Sequence, residues 1–359
     1  MDLLKYVIAV AALAGSLTVS MAETARFDYV FEHYSTDDGL PHNSIAAIHQ
    51  DSRGYIWVCT WYGLSRFDGN TFVNYIMLPG DFTNLTHNRM LSIDEDVNGY
   101  LWLRTYDYRM YRFDPVAEKF VAVPDELEGF SGANLKVTVF HCDSRGNAWI
   151  AVPGAGFYRI APDLSVERIV SESPNAVGTD IRKIYESSDG MIYVVSDAGI
   201  AVMGPSGPVL VSRLSDVSGF CEFGGRLYFA GRREMTVIDR EKGLLPRVEL
   251  DIRSTGELTS LTVTGSGDSR QLYAGFRNGA IASVDTSAMR FDVRKYDMGR
   301  VRNLFPDSGG LLWIVTDRTG IYSYDRVKDR FRRYEHPRNV TSYYSDSLAR
   351  VVEYKGTTW

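Results

Sequence analysis

The sequence predicts an all-β fold, a seven-bladed β-propeller of four-stranded antiparallel blades, and three observations carry that prediction. A motif of Asp, Gly, Trp and Thr at three-residue offsets returns along the chain. Its copies stand about 43 residues apart on average between Trp57 and Trp359, the period expected of one propeller blade. Aromatic-rich segments follow the third strand of several copies, as an outer strand would.

The first copy, QDSRGYIWVCTWYGLSRFDG, shows the local logic. Asp51 can accept hydrogen bonds from the turn it opens, and Gly54 can take the positive φ that closes it. YIWVCT then reads as a strand of β-branched and aromatic residues, and a turn at Gly63 leads into LSRFD. Later copies place Asp96, Gly99, Trp102 and Thr105, then Asp143, Gly146 and Trp149, then Asp307, Gly310, Trp313 and Thr316. Copies four to six keep only Tyr193, Tyr228 and Tyr273 at the aromatic position, and Arg270 stands where the sixth copy should have its turn glycine.

One four-stranded meander cannot bury both its faces, so each blade needs neighbours, and closure into a ring supplies them. Trp57, Trp102, Trp149 and Trp313 are therefore expected as wedges between sheets. The segment RFDYVFEHY, Arg26 to Tyr34, resembles an outer strand with nothing before it. It is expected to close the ring by pairing with the last blade. On that count residues 23–330 form the propeller, and 331–359 hold a last outer strand and the truncated start of a next repeat. The alternative has residues 331–334 closing blade seven, with the N-terminal strand packed elsewhere.

Composition suits a folded domain, at 45% hydrophobic and 23% charged. The formal charge of −6 and the lack of a Lys/Arg block argue against nucleic-acid binding by this segment. Residues 1–22 read as a secretory signal peptide, with Lys5, an apolar run and cleavage after Ala22, which places the mature chain in the periplasm; an uncleaved anchor, with Asp2 diluting the positive end, is the alternative. Cys59, Cys142 and Cys221 fall in different blades and are expected as buried thiols. The six histidines are scattered and no metal-ligand motif occurs, so neither a metal nor a cofactor is called for.

The unit IHQDSRGYIWVCTWYGLSRFDG, introduced by STDDGLPHNSI, closely resembles the two-component regulator propeller repeat. That repeat is typical of the periplasmic sensor region of hybrid two-component regulators in gut Bacteroidetes. The resemblance implies a sensor that binds glycan-derived oligosaccharides and controls polysaccharide-utilisation genes, and a homodimer in the complete protein. It also implies a membrane attachment, a kinase and a DNA-binding part C-terminal to this chain. The chain stops within the eighth motif, as a fragment would.

Recognition on a rigid ring resides in its loops. Aligned to repeat one, the loops between second and third strands, with the segments entering each first strand, bring Trp61, Tyr62, His87, Arg89, Tyr106, Tyr108, Arg109, Arg182, Arg232, Arg233, Arg277, Arg302 and Arg318 to one face. Flat rings stack on the apolar faces of pyranoses, and Arg hydrogen-bonds hydroxyl, carboxylate or sulfate groups. An acidic oligosaccharide is the sharper expectation. The competing readings are a structural or dimerisation propeller, or a propeller hydrolase or lyase using Asp107, Asp197, Glu234 or Asp317; loop carboxylates of this kind are more often partners for neighbouring Arg.

Overall fold

The computed structural model describes residues 31–77, 85, 87–123, 136–154, 156–169, 178–205, 207–250, 253 and 256–325, with short strands at 353–354 and 357–358. The signal-peptide reading and the strand expected after Phe331 lie outside the described residues.

Strand β1 (Phe31–Tyr34) comes first in the chain but belongs to the last blade. Blade one is β2 (Ile45–Gln50), β3 (Ile56–Thr60), β4 (Gly63–Phe67) and β5 (Phe72–Tyr75); blade two is β6 (Met90–Glu95), β7 (Leu101–Thr105), β8 (Met110–Asp114) and β9 (Lys119–Ala122). Blade three is β10 (Val139–Cys142), β11 (Ala148–Val152), β12 (Gly156–Ile160) and β13 (Val166–Ile169); blade four is β14 (Ile181–Glu186), β15 (Ile192–Ser196), β16 (Gly199–Gly204) and β17 (Gly207–Ser212). Blade five has β18 (Val217–Phe223), β19 (Arg226–Gly231) and β20 (Glu234–Asp239), with its outer strand broken into β21 (Gly243–Leu244) and β22 (Val248–Glu249), both paired to β20. Blade six is β23 (Leu258–Thr264), β24 (Gln271–Phe276), β25 (Ala280–Asp285) and β26 (Arg290–Lys295). Blade seven is β27 (Val301–Pro306), β28 (Leu312–Thr316) and β29 (Ile321–Tyr324), completed by β1.

Closure follows the first of the two alternatives. β1 pairs antiparallel with β29, Phe31 opposite Tyr324 and Tyr34 opposite Ile321. Asn43 then receives the N–H of Gly320 on its carbonyl at 3.0 Å, which ties blade seven to the segment entering blade one. Trp313 packs in a buried cluster with Ile45, Ile48 and Val58 of blade one, completing the circle.

The other wedges behave alike. Trp57 sits among Leu101, Leu103 and Tyr111 of blade two, Trp102 among Phe140 and Ile150 of blade three, and Trp149 among Ile181, Ile184 and Val194 of blade four. All four indoles are at most 7% exposed. Tyr193 and Tyr228 take the same place against Phe229 and Leu272. Burying a ring of this size contributes several kcal/mol per wedge, about 25 cal/mol for each Å² removed from water.

The turn chemistry also holds. Asp51 accepts the N–H groups of Arg53 and Tyr55 on one oxygen, and Gly54 closes the turn at φ +93°. Blade six solves its missing glycine differently: Gly267–Ser269 form a 3-10 turn, after which Arg270 has an ordinary φ of −59°. The three cysteines are free and buried. Later in the chain, the strands β30 (Glu353–Tyr354) and β31 (Thr357–Thr358) pair as a two-stranded ladder.

Candidate functional site

In blades one, two, four, six and seven the two loop sets are stitched together by the backbone. The residue after the second strand donates its N–H to the residue just before the first: Trp61 to Ser44 (3.1 Å), Tyr106 to Arg89 (2.9 Å), Asp197 to Asp180 (3.1 Å), Arg277 to Glu257 (2.8 Å) and Asp317 to Arg300 (3.1 Å). In those blades the loop residues singled out in the sequence thus lie side by side at one end of the sheet.

In blades one and two that end carries a stack. The Arg89 guanidinium lies 3.9 Å from the Trp61 ring centre and 4.2 Å from that of Tyr106, so an indole and a phenol from neighbouring blades sandwich one cation. His42 stacks on Trp61 at 5.9 Å, and His87 lies 5.7 Å from Tyr106. Nδ1 of each histidine accepts a backbone N–H, from Ser44 and Arg89 respectively, both at 2.8 Å. Asn43 and Asn88 are structural: they hold the backbone of Thr36 and Met77. Trp61, Tyr62, Tyr106 and Tyr108 stay substantially exposed, at 38–51%. Tyr108 adopts a left-handed backbone, φ +67°, that a non-glycine residue rarely takes; strain of this kind clusters at ligand sites.

Elsewhere the mouth is less basic than its arginines suggest. Arg109 pairs with Asp107 at 3.8 Å, Arg182 with Asp180 at 2.9 Å, Arg232 with Asp216 at 3.5 Å, Arg277 with Glu257 at 3.4 Å and Arg302 with Asp317 at 3.2 Å. Arg302 also donates to the Ile45 carbonyl at 3.2 Å. Arg233 and Arg318 have no ion pair among the described residues. The loop carboxylates weighed as catalysts are engaged as well. Asp107 accepts from the Thr105 hydroxyl, Glu234 pairs with Arg247, and Asp197 caps the N–H groups of Thr179 and Asp180. The N–H of Asp180, then that of Thr179, holds the Asp197 carboxyl below its usual range. Among the described residues no cluster of His, Cys, Asp and Glu is arranged to hold a metal.

Arg104 escaped the loop alignment, and in the structure it shares a tier with Lys183 of the segment entering blade four. Immediately inside the mouth, each blade has one cross-strand pair just past the start of its first strand: Ala47 with Cys59, Ser92 with Arg104, Val139 with Ala151, Lys183 with Val195, Gly219 with Ala230, Ser260 with Gly275 and Asn303 with Val315. Only Arg104 and Lys183 are charged. Arg104 reads as strand core within WLRT, and only stacking the seven repeats in register shows that a small or apolar residue belongs there.

Comparison with known proteins agrees with this architecture. The family described as two component regulator propeller matches residues 39–62, which span the Asp–Gly–Trp unit of blade one and part of its mouth. The chain is 41% identical over 59 residues to histidine kinase P4 of Formosa agariphila, covering 16% of this chain and 4% of that protein. The extracellular domain of a hybrid two component system protein from B. thetaiotaomicron superposes with a TM-score of 0.66 at 16% identity, covering 83% of this chain and 42% of that one. Virginiamycin B lyase from Staphylococcus aureus superposes at 0.63 with 10% identity, covering 83% of this chain and 99% of that one. The chain thus spans well under half the length of the solved sensor domain it resembles. It is a seven-bladed propeller that carries the two component regulator repeat.

Proposed function

We propose that this propeller is the ligand-reading part of an extracytoplasmic sensor, and that its loop face binds a glycan-derived oligosaccharide. Occupancy would then control polysaccharide-utilisation genes through the kinase and DNA-binding parts of a longer, homodimeric protein. The observation that carries the reading is the exposed Trp61–Arg89–Tyr106 stack. A cation held between two rings restrains both, and their exposed surfaces offer a platform for the C–H face of a pyranose. A periplasmic location accords with the signal-peptide reading and with the extracellular origin of the sensor domain it resembles.

A catalytic role fits less well, because Asp107, Asp197, Glu234 and Asp317 serve as ion-pair and cap acceptors. The lyase likeness supports the ring alone.

Calorimetry of the chain against a panel of neutral and acidic oligosaccharides tests the proposal. Binding of at least one of them, weakened about tenfold or more by Trp61→Ala or Tyr106→Ala, is expected, with the sugar recovered unchanged. No binding here, but binding by the longer protein, would make this ring a spacer; turnover would make it an enzyme.

A further inference from the structure

We propose that the centre of the ring, just below the loop face, is an oxyanion site in which Arg104 and Lys183 together bind a carboxylate or sulfate group. Three observations converge on it. The two residues occupy one tier, the cross-strand pair that is uncharged in the other blades. Among the described residues neither has an acidic partner, whereas the arginines of the rim above pair with Asp107, Asp180, Asp216, Glu257 and Asp317. Both stand on the two inner strands of their blades, in blades two and four of a closed ring with one blade between them, and the charge of Arg104 helps to lower the proton affinity of Lys183.

The local geometry suits an anion. The Ser92 hydroxyl accepts from Nε of Arg104 at 3.0 Å, and the Tyr108 ring lies 5.8 Å from the guanidinium carbon. That fixes the plane of the fork and leaves its terminal nitrogens for a two-pronged contact with a planar or tetrahedral oxyanion. Lys183 is surrounded by the ring yet exposed to solvent, so the space is open to water and to a ligand from the mouth. Burial, and then the neighbouring Arg104, lower the proton affinity of Lys183; burial also lowers that of Arg104. Two cations confined with no counter-charge among the described residues are unfavourable, and an entering anion relieves both at once.

The inference needs no sugar to be true, so it stands apart from the stacking platform above. Thermal melts and calorimetry of the full chain in chloride and in sodium sulfate at matched ionic strength test it, with Lys183→Met, Arg104→Met and the double variant. Sulfate is expected to raise the melting temperature of the parent by several degrees and the double variant by less than one. In chloride, each Met variant should melt at or above the parent. A sulfate response of equal size in parent and double variant, or none in the parent, overturns the site. A second arm separates sources of the anion. Free glucuronate binding like sulfate, with both lost in Lys183→Met, marks a general oxyanion site; a glucuronate-bearing disaccharide that binds tenfold tighter than glucuronate, and loses that gain in Trp61→Ala, marks the acid group of a glycan seated on the platform. A parent that takes up neither sulfate nor glucuronate, while Trp61→Ala still abolishes binding of a neutral sugar, refutes the oxyanion site and leaves the sensor reading intact.

Discussion

Gln50 and Ser308, 258 residues apart, meet across the closure: the backbone N–H of Ser308 donates to Oε1 of Gln50 at 2.6 Å. The same contact recurs between other blades with a carboxylate in the Gln place. Glu95 accepts both the N–H and the hydroxyl of Ser52, at 2.7 and 2.8 Å; Glu186 does so from Ser144 and Glu222 from Ser188. A residue at the end of one first strand thus clasps the opening turn of the preceding blade. A neutral hydrogen bond contributes about 1 kcal/mol and one to a charged acceptor about 1.5–3 kcal/mol. Glu95→Ala should therefore destabilise the ring about twice as much as Gln50→Ala, measured by urea unfolding. Equal losses would show that the charge adds nothing.

Asp51 joins its turn to the wedge behind it, because its second oxygen accepts the Trp57 indole N–H at 2.9 Å. Asp96–Trp102, Asp143–Trp149 and Asp307–Trp313 repeat the bond at 2.8–2.9 Å. Where the wedge is Tyr193, Tyr228 or Tyr273, the residue six positions earlier is Ser187, Glu222 or Gly267. Asp51→Ser should cost about 2–3 kcal/mol by stranding a buried donor. In a Trp57→Tyr background the same change should cost at least 1 kcal/mol less. Additive losses in the double mutant would uncouple the two positions.

That pairing marks how far the sequence could be read. The blade period, the turn glycines and the wedges were legible because they repeat, and repetition separates a fold-making residue from an ordinary one. The partner of the indole was not, since an Asp opening a turn already explains itself. At the mouth, Trp61, Arg89 and Tyr106 were legible as members of one face. Their stacking was not, because it depends on the angle between two blades. The pairing of Arg232 or Arg277 with Asp216 or Glu257 was likewise hidden, since the acid enters on the other loop of the blade. Arg104 lay outside the loops altogether.

Asp94 accepts from both Nδ1 of His141 and the Cys142 N–H, at 2.8 and 2.9 Å, linking blades two and three. Burial alone would lower the His141 pKa, but the hydrogen bond and charge of Asp94, then the charges of Glu186 and Asp143, raise it on balance. Burial would raise Asp94, and His141 with His49 lowers it on balance. The stabilisation from His141 is fully present below its unfolded value of about 6.5 and is lost as pH rises through the higher folded value. That from Asp94 is present above about 3.9 and is lost only as pH falls through its depressed folded value. Stability should therefore decline from pH 6 to pH 8.5, and Asp94→Asn should flatten that slope. An unchanged slope in the variant would assign the pH dependence to other groups.

The ring closes on a glycine. Gly320 has φ +83°, and a Cβ there would lie 2.1 Å from the carbonyl oxygen of Tyr34 in β1, while its N–H holds Asn43. Neither the conformation nor the space admits a side chain. Gly320→Ala should cost about 2–4 kcal/mol. The loss should be local first, because relief comes by releasing β1 from β29. Amide exchange at Glu32 and His33 should accelerate at least a hundredfold in the variant, with the strands of blades three and four nearly unchanged. Gly69→Ala is the control: φ is also positive, +99°, but its Cβ would meet nothing within 4 Å, so it should carry the conformational cost without releasing β1. Uniform acceleration across all seven blades in Gly320→Ala would mean that closure is not a separable step and that the ring opens only as a whole.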